Sequence, residues 1–278
     1  MRNRMPQGFT LVEMSIVLVV VGLIAATILV GRDLIRHAEF VKLHSQYTGF
    51  VAAIQTFKSK YNCLPGDCAN ATDFFGTYNR CPPPGGLLLG KDTIDPVTCN
   101  GDGDGRIDAQ TTMYEMSTLW QHLASAGLIS GNYTGGVSTQ GGSIVLPGIN
   151  CPLALPPATR CWVIFDGDHS VWLNSLPTLP PVTIVPMHLG AVMTMGQLLG
   201  SSSLLGGAFT PAEAMSYDTK YDDGSPVSGN ILISSGSQHC TNGNESVSSP
   251  ANATAQYAAN DPVFSNLPSC NLVYRAGF

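Results

Sequence analysis

A single carboxylate, Glu13, stands at the start of a long apolar run. The eighteen residues that follow it, Met14 to Gly31, contain no Asp, Glu, Lys or Arg. A carboxylate inside a membrane is costly unless it is paired, so a Glu at this position is functional by default. We expect Glu13 to pair with a cation at similar depth. The alternative is a Glu close enough to the interface to stay hydrated.

A second group of oxygen side chains occupies the segment from Asn100 to Asp108. Oxygens alternate along it, with Gly105 at the sixth position and Ile107 at the eighth, which matches most of an EF-hand calcium loop. The predicted Ca²⁺ ligands are the side chains of Asn100, Asp102, Asp104 and Asp108 and the backbone carbonyl of Arg106. Thr111 replaces the expected bidentate Glu, for which Glu115 could substitute. The alternative is an ordinary acidic surface turn.

Eight cysteines lie in loops rich in Gly and Pro. An even number in such loops is typical of disulfides formed outside the cytoplasm. No pair has the C-x-x-C spacing of zinc or redox sites. Eight cysteines allow about a hundred pairings. Short loops favour Cys63–Cys68, Cys81–Cys99, Cys151–Cys161 and Cys240–Cys270.

Enzyme motifs are missing from the sequence. It contains no G-x-S-x-G, no H-E-x-x-H and no Walker loop, and its six histidines share no ligand spacing. The segment Asp166-Gly167-Asp168-His169 is more typical of a hairpin turn than of an acid/base pair. We therefore expect a protein that is not an enzyme.

The composition excludes further classes. Of the 278 residues, 44% are hydrophobic and 12% are charged, with a net charge of -6, so the chain is neither a disordered polyelectrolyte nor a coiled coil. Lys and Arg form no cluster, which argues against a nucleic-acid partner. The roughly 210 residues beyond the N-terminal region suffice to bury a sizeable core.

The apolar run predicts one membrane-spanning helix. At about 1.5 Å per residue, a helix from Phe9 to Val30 covers the roughly 30 Å hydrocarbon core. Arg2 and Arg4 precede it, which predicts a cytoplasmic N-terminus and places everything after Arg32 outside the cytoplasm.

We expect this helix to continue as an amphipathic helix to Tyr61. Apolar residues recur there at helical spacing, with polar residues elsewhere. The stripe consists of Leu34, Ala38, Val41, Tyr47, Phe50, Ile54, Phe57 and Tyr61. Pro65 follows and disfavours helical geometry in the residue before it, which ends the helix.

The rest of the chain shows signals of short helices and strands. Two capping boxes, Thr112-x-x-Glu115 and Thr210-Pro211-x-Glu213, predict two short helices. Strands are expected at Ser143–Leu146, Cys161–Phe165, Val171–Leu173, Val182–Val185, Ile231–Ser234 and Leu272–Tyr274. Short strands that cluster late and do not alternate with helices indicate an α+β fold, with a mostly antiparallel sheet on the long helix.

The N-terminal residues Gly8-Phe9-Thr10-Leu11-Val12-Glu13 resemble the prepilin signature of type IV pilins and type II secretion pseudopilins. A short basic leader ends in Gly before the apolar run. An ordinary signal peptide would be cleaved after its apolar region, near Ala25-Ala26-Thr27. The resemblance implies that a membrane-embedded prepilin peptidase cleaves after Gly8 and methylates Phe9. It also makes the Phe9 amine of a neighbouring subunit the partner of Glu13.

The resemblance also implies an organisation of the chain. Residues 1–8 are a leader, 9–31 a transmembrane and assembly helix, 32–62 an amphipathic helix that continues into the head, and 63–278 a pilin-like globular head stapled by disulfides. Three head segments, at 64–67, 120–127 and 218–224, look more loosely like a group of proteobacterial pilin-like proteins.

Two hypotheses of function follow. The first is a minor structural subunit of a type IV pilus or a type II secretion pseudopilus. Its partners are the prepilin peptidase, other pilin or pseudopilin subunits and the inner membrane, with a periplasmic head before assembly and an extracellular or periplasmic filament after it. The second is a membrane-tethered, calcium-dependent periplasmic binding or adhesion module that is not a filament subunit. Filament incorporation separates the two.

Overall fold

The fold is seen in a computed structural model of the chain, which describes residues 9–79, 81, 97–107, 114–136, 146–154, 160–166, 191–199, 203–233, 239–242 and 255–277. The chain divides into two compact units, Met1–Ser45 and Gln46–Phe278. The predicted ligand Asp108 and the predicted box residue Thr112 lie outside the described residues, as do the strand candidates Val171–Leu173 and Val182–Val185.

One long helix, α1, runs from Leu11 to Tyr61 and has 51 residues. Its segment Leu11–Ile28 has 18 residues and a mean hydropathy of 2.6, so it is long and apolar enough to cross a membrane. None of this segment is buried. Asn62, in a left-handed conformation with φ 57°, follows the helix. The predicted helix is therefore confirmed to within two residues at its start.

The buried side of α1 differs in part from the predicted stripe. Within the second unit Ile54 and Phe57 are fully buried, as predicted. In the first unit Leu34 and Val41 are 70% and 52% exposed, so their assignment to the stripe is wrong. The buried residues are Phe40 and Leu43, because steps of four and three residues back from Tyr47 lead to those positions.

In the described part of the chain, three shorter helices follow. They are α2 (Ala71–Phe75), α3 (Tyr114–Ser125) and α4 (Pro211–Tyr221). The start of α4 has the predicted capping box, in which the Thr210 hydroxyl accepts from the N–H of Glu213 and the Glu213 carboxylate accepts from the N–H of Thr210. Pro211 fills the first helical position.

Among the residues that the structure describes, the β part of the fold is a five-stranded antiparallel sheet. The strands are β1 (Arg160–Asp166), β2 (Ala191–Leu199), β3 (Ser203–Gly206), β4 (Ile231–Ile233) and β5 (Leu272–Arg275). Their order is β1-β2-β5-β4, and β3 also pairs with β2. Three predicted strands fall in β1, β4 and β5, so the α+β class with a small antiparallel sheet is confirmed.

Aromatic rings connect the sheet to residues 46–61 of α1. Phe50 meets Trp120 of α3 and Trp162 of β1 edge-on, at centroid distances of 4.9 and 6.0 Å. Tyr47 stacks on Tyr274 of β5 at 4.5 Å. Both tryptophans are fully buried, so this contact forms the centre of the core of the second unit.

All eight cysteines lie in disulfides. The bonds join Cys63 to Cys68, Cys81 to Cys99, Cys151 to Cys161 and Cys240 to Cys270. These are the pairs that the short loops favour in the sequence. The first bond closes a ring that begins just after α1, and Asp67 belongs to that ring.

Candidate functional site

Asp67 stands at the centre of the loop predicted to bind calcium. Its Oδ1 accepts hydrogen bonds from the N–H groups of Gly103 and Asp104, at 2.7 and 3.1 Å, and its Oδ2 accepts one from Gly105 at 2.9 Å. The side chain is buried although the loop around it is exposed. Asp67 was not among the predicted ligands, because it precedes the loop by more than thirty residues.

Two glycines permit this approach of the loop to the Cys63–Cys68 ring. A side chain at Gly101 would overlap the backbone of Asp67. At Gly66, with φ 95°, a Cβ atom would lie 2.5 Å from the carbonyl oxygen of Glu115. The ring, the loop and the first turn of α3 therefore meet with backbone nearly touching backbone.

Asp67, Asp102 and Glu115 bring carboxylate oxygens together. One oxygen from each lies within 4.8 Å of the others. Two oxygens on opposite sides of Ca²⁺, each at about 2.4 Å from the ion, are separated by about 4.8 Å. Glu115 is fully buried, and its Oε1 accepts from the N–H of Asp102 at 3.3 Å. The three carboxylates therefore lie close enough together to contact one cation.

The other predicted ligands have observed contacts of their own. Asn100 Oδ1 accepts a hydrogen bond from the N–H of Thr72 at 2.9 Å. Asp102 Oδ1 accepts from the N–H of Asp104 at 3.1 Å, and Asp104 Oδ1 accepts from the N–H of Arg106 at 2.8 Å. These bonds hold the loop in a fixed curve. Carboxylate and amide oxygens carry further lone pairs that can bind a cation.

Burial makes the charged form of Asp67 unfavourable. It raises the pKa of Asp67 to about 6, although the N–H groups of Gly105 and Gly103 lower it. The charge of Asp104 and a hydrogen bond with Asp102 raise the pKa further. A cation beside these carboxylates would favour the ionised forms.

At the N-terminus, Thr10 and Glu13 cap the start of α1 reciprocally. Glu13 Oε2 accepts hydrogen bonds from both the N–H and the hydroxyl of Thr10, each at 2.8 Å. Thr10 Oγ1 accepts from the N–H of Glu13 at 3.2 Å. The Glu13 carboxylate thus lies back on the first turn of the helix, close in sequence to Phe9, which is 83% exposed. The spacing Thr-x-x-Glu could have revealed this cap in the sequence.

Residues 3–29 match the prokaryotic N-terminal methylation motif. The chain carries the type IV pilin and pseudopilin signature. No curated protein and no solved structure matches the chain.

The methylation motif explains the arrangement at the N-terminus. It implies a pilin-like or pseudopilin chain that the prepilin peptidase processes. Together with the exposed apolar segment Leu11–Ile28 it indicates anchoring in a membrane. Gly8, the predicted cleavage residue, lies outside the described residues, and Phe9 and Thr10 precede α1.

Proposed function

We propose that the chain is a minor subunit of a type IV pilus or a type II secretion pseudopilus. It is inserted through α1, cleaved after Gly8, and joined to a filament by its N-terminal helix, with the head outside the cytoplasm. The proposal rests on the methylation motif, in which Glu13 lies in the first turn of an apolar helix that is not buried.

The size and stapling of the head support a minor component. The described part of residues 63–278 contains three helices, the sheet and four disulfides. A head of this size is large for the repeating subunit of a filament. We therefore propose that a filament contains few copies of this chain, for example at its tip.

Processing predicts a defined mature N-terminus. We expect the native protein to begin at Phe9 and to carry one methyl group on its amine, because the methylation motif directs cleavage after Gly8. Mass spectrometry of the purified protein and of its N-terminal peptide measures both. A Gly8→Asp variant, produced in parallel, is expected to keep its leader. An intact Met1 or a start near Thr27 in the wild-type protein would refute the proposal.

A second proposal is that the loop 100–108 binds Ca²⁺. Asp67, Asp102 and Glu115 supply converging oxygens, with Asp104, Asn100, Asp108 and the Arg106 carbonyl as further ligands in the loop. The specific observation in its favour is Asp67, a buried carboxylate that the loop surrounds. Because Thr111 stands where a bidentate Glu is expected, we place the Kd in the range of extracellular modules, about 0.1 to 1 mM.

Calcium should then stabilise the protein. At a tenfold excess over the Kd, binding adds about 1.4 kcal/mol, which raises the Tm by about 3 to 6 °C for a chain of this length. The measurement is a thermal melt of the full chain in detergent, with calcium and then with chelator. The double variant Asp102→Ala, Asp104→Ala is expected to lose the part of the shift that the loop contributes, and any shift that remains belongs to another site. An equal shift in that variant would show that calcium acts elsewhere.

A further inference from the structure

A second buried carboxylate lies far along the chain from the calcium loop. Asp218, in the last turns of α4, is fully buried. Its Oδ2 accepts a hydrogen bond from the Tyr257 hydroxyl at 2.7 Å. Its Oδ1 is also inaccessible to solvent, and no described residue donates a hydrogen bond to it. A buried oxygen of a carboxylate that lacks a partner is expensive, which indicates a missing ligand.

Two further carboxylates surround Asp218. An oxygen from each of Asp218, Asp222 and Asp223 lies within 4.8 Å of the others. All three stand at the C-terminal end of α4, where the helix dipole already disfavours negative charge. None of them forms an ion pair with a described Lys, Arg or His. Three carboxylates therefore meet with no described cation to balance them.

The turn after α4 holds the outer two carboxylates in place. Asp222 Oδ2 accepts from the N–H groups of Asn230 and Ile231, at 2.5 and 2.7 Å. Asp223 Oδ1 accepts from the N–H of Ser225 at 2.9 Å, and its Oδ2 from the Ser228 hydroxyl at 2.6 Å. Asp222 Oδ2 uses both lone pairs on these amides, whereas each Asp223 oxygen keeps one lone pair for a ligand.

We propose that Asp218, Asp222 and Asp223 bind a divalent cation of the calcium class. The set offers only carboxylate oxygens, which suit a hard ion and not zinc. Because these oxygens lie within 4.8 Å of one another, all three can contact one ion of the size of calcium. Ca²⁺ accepts about six to eight oxygens in a flexible geometry, whereas Mg²⁺ demands a near-ideal octahedron and keeps several of its waters. Asp218 provides Oδ1, since Tyr257 already uses Oδ2.

The surroundings of the Asp218 carboxylate also favour a bound cation. Burial raises the pKa of Asp218 to about 6, and the Tyr257 hydroxyl lowers it, as does the Gly224 amide, which approaches the carboxylate without hydrogen-bond geometry to Oδ1. The charges of Asp222 and Asp223 add to the increase. A bound cation would reverse that repulsion. The bound cation would also hold the end of α4 against Ile231 at the start of β4 and against Tyr257. This would stabilise the part of the head that follows α4.

The partially exposed side of the cluster gives an ion access. Asp222 is half-buried and Asp223 is exposed, whereas Asp218 is closed from solvent. An ion can enter from the side of Asp223 and come to rest on the inner oxygen of Asp218. The cluster therefore combines one carboxylate closed from solvent with two that solvent reaches.

The test uses Tb³⁺, which prefers oxygen ligands as Ca²⁺ does and emits when a nearby tyrosine transfers excitation to it. The protein is the full chain in detergent with Asp102→Ala and Asp104→Ala, so that the calcium loop is silenced. We expect saturable, tyrosine-sensitised emission that Ca²⁺ displaces. Asp223→Asn should raise the Kd at least about tenfold, a loss of about 1.4 kcal/mol. Asp218→Asn should abolish the emission.

Two controls make the outcome decisive. Asp261→Asn, an aspartate outside the cluster, should leave the Kd of Tb³⁺ unchanged. Thermal melts in chelator should show that Asp223→Asn still folds, since that residue is exposed. Absence of saturable emission in the silenced background overturns the proposal, as does an unchanged Kd in Asp223→Asn. If acidification stabilises the protein and calcium does not, the three carboxylates share a proton and do not bind a cation, which also overturns the proposal.

Discussion

A Glu13→Ala variant is expected to insert in the membrane and to be cleaved normally, yet to be nearly absent from filaments. We propose that Glu13 pairs with the Phe9 amine of a neighbour in the filament, and removal of one member of a buried pair costs about 3 to 5 kcal/mol. That cost corresponds to a loss of roughly a hundredfold or more in incorporation. Quantification of the subunit in sheared filaments, against its amount in membranes, measures the effect.

Thr10→Val is the matched control for this variant. It keeps the carboxylate but removes the hydroxyl that takes part in the N-terminal cap, which costs about 1 kcal/mol. We expect it to assemble far better than Glu13→Ala. Equal defects in the two variants would assign the effect to the cap, and normal incorporation of Glu13→Ala would exclude the charge pair between subunits.

Loss of the Cys240–Cys270 disulfide is expected to have the largest effect on stability. The bond spans 30 residues of sequence, and loop-closure entropy at that length contributes about 3 to 4 kcal/mol. Both sulfurs are fully buried, so alanine at both positions removes the bond without leaving a polar group. Denaturant unfolding, followed by the near-ultraviolet signal of the buried tryptophans, gives the free energy of unfolding.

The Cys63–Cys68 bond serves as the comparison. It spans only 5 residues, and the same entropy contributes about 2 kcal/mol. The double alanine variant at these positions should therefore unfold at higher denaturant than the Cys240→Ala, Cys270→Ala protein. The opposite order would mean that contacts made by the small ring outweigh its short length.

The elements with local signals could be predicted from the sequence. The long helix, the capping box at Thr210 and the strands β1, β4 and β5 all depend on residues that are neighbours in sequence. The short disulfide loops also belong here, because closing a short loop requires little ordering of the chain. The N-terminal motif is local as well, and it was the most informative segment.

The parts that the sequence did not predict depend on distant residues. Asp67 contacts the loop 100–107 because the Cys63–Cys68 ring packs against both that loop and α3, more than thirty residues further along the chain. Strand β2 reads Ala-Val-Met-Thr-Met-Gly-Gln-Leu-Leu, with few β-branched residues and an internal Gly, yet it pairs with β1, β3 and β5. Its place in the sheet comes from partners on both sides, which no local pattern encodes.

The exposed apolar surface of residues 11–28 restricts how this chain can leave a membrane. Most of its large side chains are about half exposed or more, and each would lose about 1.5 to 3 kcal/mol on transfer to water. For the proposed filament subunit, departure from the bilayer is therefore expected to coincide with capture by other apolar helices. Extraction and docking would then form one concerted step.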